Sequence, residues 1–333
     1  MSPIAFSRLG QIALRHGFVL AILAVYLFFS IAAPTFFGLA NLVDIFHVTA
    51  PLMVVASGMA LIVISGKLDI SVGSIAYVAS AIFALLMRYT ELPLVAGLGV
   101  AFAAGLLLGA INASIVVFLR VNSLIATLGT MIAFRGFGLS MTNGGLIEMP
   151  DAIKPLGNIL IGPVFLDTLV ALAIVLAVHL VHRWTNFGRQ ITAIGNNQEV
   201  ARRIGIAVDR RVFASFILSG FLAALAGVVY TMQVAVNTSK IGEGMEFTAV
   251  AVVVVGGISL FGGRGNILIA VILGSLTFQM IRSGLQHLGA DPYSYRLVEG
   301  VVIFVAMYVD ALKSERVGIR RPRRNRNRAD LNV

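Results

Sequence analysis

The chain has 333 residues, of which 58% are hydrophobic and only 12% charged, with a formal net charge of +10. A mean hydropathy of +0.94 is too apolar for a water-facing surface, which excludes an ordinary soluble domain and leaves a polytopic membrane protein. There is no cysteine, so disulfides and thiolate chemistry are excluded as well.

A hydrocarbon core about 30 Å thick takes about 20 mostly apolar residues per helix. The sequence divides into about ten such runs, near 17–35, 42–65, 71–88, 93–119, 121–142, 164–182, 212–235, 246–261, 266–286 and 294–312. The expected fold class is therefore an all-α membrane protein of about ten transmembrane helices with both termini on one side. Residues 1–16 carry Arg8 and Arg15 and lack a small-residue cleavage site, so they read as a retained amphipathic segment, not a removed signal. Residues 17–312 make the membrane domain and 313–333 a basic tail. The 42–65 run contains Pro51 and the 246–261 run is short, so a kinked or broken helix is expected in one or both. The 34 glycines are spread through the apolar runs, where they let helices approach closely.

Positive charge marks retained cytoplasmic loops. One alternating set of loops holds Arg8, Arg15, Lys67, Arg120, Arg183, Arg189, Arg202, Arg203, Arg210, Arg211, Arg264 and the basic residues of the tail. The other set holds only Arg88, Lys154, Lys240 and Arg296, with Arg135 and Arg282 inside spans. Both termini and the hydrophilic stretch 183–211 are thereby placed in the cytoplasm. Topology accounts for most of the net charge, so no nucleic-acid partner is called for, and RRPRRNRNR at 320–328 reads as an anchor on anionic membrane lipid.

Several polar motifs punctuate the apolar runs. In SGKLDISVGS, residues 65–74, Ser65 and Gly66 end one span and Ser71 can cap the next, with Lys67 and Asp69 two apart in the reversal and free to pair. Asn112 follows Gly105 and Gly109 on a stripe of small residues, where it either bonds a neighbouring helix or faces a path. Arg135 stands about 20 Å from the cytoplasmic end of its span at about 1.5 Å per residue, so it either snorkels outward or lines a path. Gly256 and Gly257, with Gly262, Gly263 and Gly265 after them, predict a sharp return or close crossing. ISGKLDISVG and VGGISLFGG share a spacing that aligns Gly66 with Gly256 and Gly73 with Gly263, as an internal repeat would. Glu246, Arg282 and Glu299 are available for ion pairs. His179 and His182 sit at a helix end without an acidic partner, which argues against a metal site.

The 183–211 loop has internal order. Asn196 and Asn197 suit a helix start, and QEVARRIGI places Val200, Ile204 and less cleanly Ala201 on one stripe, with Arg202 and Arg203 elsewhere and Gly205 at the end. The segment fits either a helix lying on the bilayer or a knob that docks into a soluble ATPase. No GxxxxGK followed by Ser or Thr is present, so the chain does not hydrolyse ATP itself.

AIGNNQEVARRIGI resembles the cytoplasmic coupling segment of the permease subunits of bacterial ABC importers for monosaccharides and small polyols, the ribose, xylose and autoinducer-2 group. SGKLDISVGS is similar to that family's SGGIDLSVGS, VNSLIATLGTMIAFRG at 121–136 matches as well, and FTAVAVVVVGGISLFGGRGNILIAVILG at 247–274 is similar to its LDAIAAVVLGGTSLSGGRG segment. The resemblance runs from the second span to the last. It departs at Lys67, where the family has a second glycine, and at Thr248, where it has an aspartate.

What the resemblance implies is a permease subunit in the bacterial inner membrane that carries a monosaccharide or small polyol inward. It implies a cytoplasmic ATPase that uses ATP and magnesium, a periplasmic sugar-binding protein, and a second permease chain, identical or not. Coupling to the ATPase falls on Asn196, Asn197, Glu199, Ala201, Arg202, Arg203, Gly205 and Ile206. Asp69, Ser71, Asn112, Thr127, Arg135, Thr248, Gly256 and Gly257 are the candidates for the path or its gate. The alternative is an ion-coupled secondary transporter, which would need a membrane carboxylate from among Glu299, Glu246 and Asp44. An enzyme would need a nucleophile, base or metal constellation, and the sequence offers none.

Overall fold

The computed structural model describes residues 22–33 and 35–318, so segment 1–16 and the tail beyond Gly318 lie outside the described residues. The chain is all-α, with twelve helices among those residues: α1 (Ile22–Ala32), α2 (Leu39–Ile64), α3 (Val72–Tyr89), α4 (Leu94–Val117), α5 (Ser123–Thr142), α6 (Leu166–Trp184), α7 (Asn186–Asn196), α8 (Gln198–Arg203), α9 (Val208–Val234), α10 (Met245–Val255), α11 (Ile267–His287) and α12 (Pro292–Gly318). Seven of them, α2 to α6, α9 and α11, are long and apolar enough to cross a membrane, and α1 and α10 are shorter apolar helices. The protein is thus a multi-pass membrane protein.

Helix α2 is the axis of the bundle. It packs against α6, α9, α10 and α11, and its residues from Ala50 to Ile64 are buried except Leu52. Pro51 does not break it, and the reason is local. Proline has no amide hydrogen, which leaves the carbonyl four residues back without its helical partner. That carbonyl, on His47, accepts a 2.7 Å hydrogen bond from Nε2 of Gln233 on α9. The same Gln233 amide reaches Asp167 at the start of α6, and Asp167 pairs with His47 Nδ1 at 2.9 Å. One side chain therefore ties three helices at the proline.

Glycine sets the closest crossing. A Cβ at Gly109 on α4 would come 2.6 Å from the Phe216 carbonyl oxygen of α9, and one at Gly220 would be 2.8 Å from Gly109 Cα. Since apolar surface gains little by leaving lipid, backbone proximity of this kind is what holds helices together in a bilayer.

The connections fall at two ends. Residues 65–71, 118–122, 185–207 and 256–266 gather at one. The loops at the other carry four two-residue strands and a short 3-10 turn, with β1 (Ile147–Glu148) paired to β4 (Val236–Asn237) and β2 (Leu160–Ile161) to β3 (Val164–Phe165).

Candidate functional site

The end that carries the 65–71 turn is built from two similar caps and one helical knob. Gly66 donates to the Val63 carbonyl and Lys67 to Ile62, closing α2 with Gly66 in the left-handed region at φ +75°. Gly257 donates to Val254 and Ile258 to Val253, closing α10 in the same way with φ +97°. The structure therefore equates Gly66 with Gly257, one residue later than the spacing of the sequence motifs predicts, and Gly256 takes the place of Ser65. Gly256 has its own role, because a Cβ there would meet the backbone of Ala270 on α11.

The two turns touch. Gly263 donates its amide hydrogen to the Ile64 carbonyl at 2.8 Å. Gly195, near the end of α7, is wedged against the Ile64 carbonyl and the Gly263 amide, where a Cβ could not be accommodated. Asn196 belongs to α7, not to the start of a new helix, and its side chain bonds back to the Thr192 carbonyl at 3.0 Å. Asn197 alone caps α8, accepting from the Val200 amide at 3.0 Å.

Helix α8 then stands on α9. Ala201 is buried in a cluster with Ile62, Val116, Ile194, Val208 and Val212, while Val200 and Ile204 are 51% and 68% exposed. The single stripe expected of Val200, Ala201 and Ile204 is thus split between the two faces, because the helix has only six residues and its inner face is occupied by Ala201. Arg203 pairs with Glu199 along the helix, and Arg202 pairs with Asp209 at 2.8 Å. Gly205, at φ +85°, ends the helix, and the Ile206 amide returns to the Ala201 carbonyl at 3.0 Å. Lys67 reaches Gln198 at 3.3 Å, not Asp69. Burial first, and then the Arg202 charge, hold the Lys67 ammonium below the usual lysine range, with Asp209 acting in the opposite direction.

Asp69 has turned inward instead. It is 0% exposed, its Oδ1 accepts from the Ser71 hydroxyl at 2.6 Å and the Ser71 amide at 3.1 Å, and its Oδ2 accepts from Ser219 at 3.3 Å. Asn112 Nδ2 donates to Ser71 Oγ at 2.6 Å, and Thr127 Oγ1 accepts from the Ile70 amide at 3.0 Å. Ser71 starts α3 without capping it, since its hydroxyl serves Asp69. Four of the residues singled out for the path, Asp69, Ser71, Asn112 and Thr127, therefore form one buried polar knot that fixes the turn between α2 and α3. Ser123 and Ser219 complete it; the Leu68 amide donates to Ser123 at 3.2 Å. Neither hydroxyl has a sequence signal beyond being polar in an apolar run.

Arg135 and Thr248 lie toward the other end. Arg135 Nη1 donates to the carbonyls of Ile241 at 2.7 Å and Ser239 at 3.2 Å, and its guanidinium stands 4.9 Å over the Tyr77 ring. Arg135 thus anchors the 235–244 loop. Thr248 lines a cavity of about 170 Å³ with Pro51, Tyr230, Glu243, Gln279 and Arg282. Arg282 bonds Glu299 at 2.7 Å, while the buried Glu246 makes no ion pair among the described residues and its Oε2 has no hydrogen-bond partner.

Residues 41–307 match the family model for the branched-chain amino acid transport system / permease component. The chain is similar to a probable ABC transporter permease protein of Escherichia coli (strain K12), 34% identical over 92% of this chain and 94% of the relative. A ribose import permease protein of the same strain is 34% identical over 89% of this chain and 93% of its own length. An autoinducer 2 import system permease protein of Photorhabdus luminescens is 32% identical over 88% of both. No solved structure matches the chain.

Proposed function

The chain belongs to the branched-chain amino acid transport system / permease component family, and from that premise we propose that it is the membrane-spanning subunit of an ABC importer for a monosaccharide or related small polyol. The relatives named for ribose and autoinducer 2 import supply the solute class. Residues 183–211 face the cytoplasm in this reading, with both termini on the same side of the inner membrane, about ten spans between them and the basic tail resting on anionic lipid. Catalysis is left to a separate ATPase that uses ATP and magnesium. A sugar-binding protein delivers solute to the opposite end, and a second permease chain completes the path.

The observation that carries the reading is the way α7 and α8 are mounted. Their outer face offers Val200, Ile204, Arg203 and Glu199, while Gly195 is seated on the backbone of both turns that end α2 and α10. A push on α8 is delivered through α7 to those two helices, and α2 lines the cavity that holds Thr248. Movement of an ATPase pair is thus converted into movement at the path, as a two-state importer requires. The cavity is lined with the hydroxyls of Tyr230 and Thr248, the Gln279 amide and the charged Lys240, Glu243 and Arg282, groups that can hydrogen-bond a neutral polyol.

The direct test is co-purification of the tagged chain from gently solubilised membranes, followed by uptake of labelled sugars into proteoliposomes. An ATP-binding subunit and a sugar-binding protein in the eluate, with uptake that needs ATP, support the proposal. A chain recovered alone that transports without ATP would establish a secondary carrier in its place.

A further inference from the structure

A basic cavity of about 310 Å³ lies where α6 ends, lined by His179, His182, Arg183, Arg189, Thr192 and the Gly265–Asn266 backbone segment that leads into α11. Its lining contains no carboxylate. His179 is 9% exposed, and its Nδ1 has no hydrogen-bond partner. His182 is held by Thr192 at 3.0 Å and Arg189 by Asn186 at 2.5 Å, so both are positioned. Arg183 forms no ion pair among the described residues. The first turn of α11 starts at the cavity wall and contributes the partial positive charge of a helix N-terminus. Trp184, 69% exposed, follows directly, the residue type that settles at a membrane interface.

From this arrangement we infer that the cavity is a binding site for a phosphate oxyanion, with Arg183 and Arg189 supplying charge beside the N-terminus of α11. Two guanidinium groups line one space with no carboxylate to neutralise them, beside two imidazoles and a threonine, and guanidinium groups form their strongest hydrogen bonds with oxyanions. Basic pockets between helices at a membrane face hold phospholipid headgroups by this chemistry, and free phosphate would use the same groups. The inference does not depend on which solute is carried.

The test uses the full chain in neutral-lipid nanodiscs. Short-chain phosphatidylglycerol, short-chain phosphatidylcholine and inorganic phosphate are titrated separately, with thermal unfolding and native mass spectrometry as readouts. Phosphatidylglycerol that binds and raises the unfolding temperature, with phosphatidylcholine inert, identifies a lipid headgroup; the same response to inorganic phosphate identifies the free ion. Each of Arg183→Gln and Arg189→Gln should weaken the response about five-fold. Arg88→Gln, which removes a charge at the far end of the bundle, should leave it unchanged. Both arginines are exposed, so the variants fold. Binding equal in R183Q/R189Q and parent overturns the inference. So does loss of ATPase co-purification in R183Q/R189Q with no anion response in the parent, since the cavity would then be holding a protein carboxylate.

Discussion

Gly195 and Gly263 meet backbone to backbone: a Cβ on Gly195 would stand 2.5 Å from the Gly263 amide nitrogen, the same amide that donates to Ile64. Three segments far apart in sequence are thereby held at one point, and the knob formed by α7 and α8 has no slack against the helices it would move.

Gly195→Ala should therefore uncouple the machine. Forcing a methyl group into a closed backbone contact costs about 1–3 kcal/mol, which the junction relieves by separating. ATP-driven uptake in proteoliposomes should fall at least about ten-fold, since 1.4 kcal/mol corresponds to a factor of ten, while the amount of chain in the membrane stays the same. Uptake within a factor of about two of the parent would show that the junction yields at little cost.

Arg202→Glu with Arg203→Glu should abolish recovery of the ATPase without lowering the unfolding temperature of the chain. Both arginines are in exposed ion pairs, which contribute only about 0–1 kcal/mol to stability. Loss is thus expected in association, measured by co-purification, and not in folding. A variant that keeps its ATPase refutes the docking role.

Asp69→Ala should destabilise the chain by about 1–3 kcal/mol, the cost of leaving buried donors without an acceptor. It strands the Ser71 amide and hydroxyl and the Ser219 hydroxyl in a fully buried site. Asp69→Asn retains an acceptor oxygen and should lose less. Unfolding in detergent, followed by tryptophan-independent light scattering, ranks the two; equal midpoints for Asp69→Ala and the parent would mean that the knot is dispensable.

Arg135→Leu should free the loop at 235–244, because two carbonyls lose their only side-chain donor among the described residues. Limited proteolysis from the face that carries it should cut that loop about ten-fold faster, as an opening made easier by about 1.4 kcal/mol gives. Unchanged cleavage would place the loop's anchorage elsewhere.

Much of this was legible in the residues. The runs at 42–65, 71–88, 93–119, 121–142 and 266–286 match α2 to α5 and α11 to within a few positions, because long apolar segments leave the backbone no option but the helix. Asn197 and Gly205 were readable as start and stop signals for the same reason that α8 obeys them. The loops that carry Lys67, Arg120, Arg183 to Arg211 and Arg264 lie together at one end; Arg8, Arg15 and the residues beyond Gly318 lie outside the described residues. What did not show was partnership. Asp69 turns from Lys67 toward Ser219, 150 positions away, and Asn196 continues α7 because Gly195 must reach Ile64; both choices depend on contacts between distant segments, which local spacing does not encode. The one-residue offset between Gly66 and Gly257 has the same origin, since caps are set by where each helix runs out of carbonyl partners.

The proline of α2 carries a last consequence. An ordinary helix resists bending because every carbonyl is claimed by its own chain, but the His47 carbonyl is claimed by Gln233 of α9. The segment of α2 preceding Pro51 is in effect pinned sideways to its neighbour, so that α9 and this end of α2 travel as one lever, joined through the Gln233 amide and the Asp167–His47 pair. Pro51→Ala would install a competing donor inside the helix, leaving the Gln233 amide to Asp167 alone and stiffening α2 at the place where the Thr248 cavity has its wall.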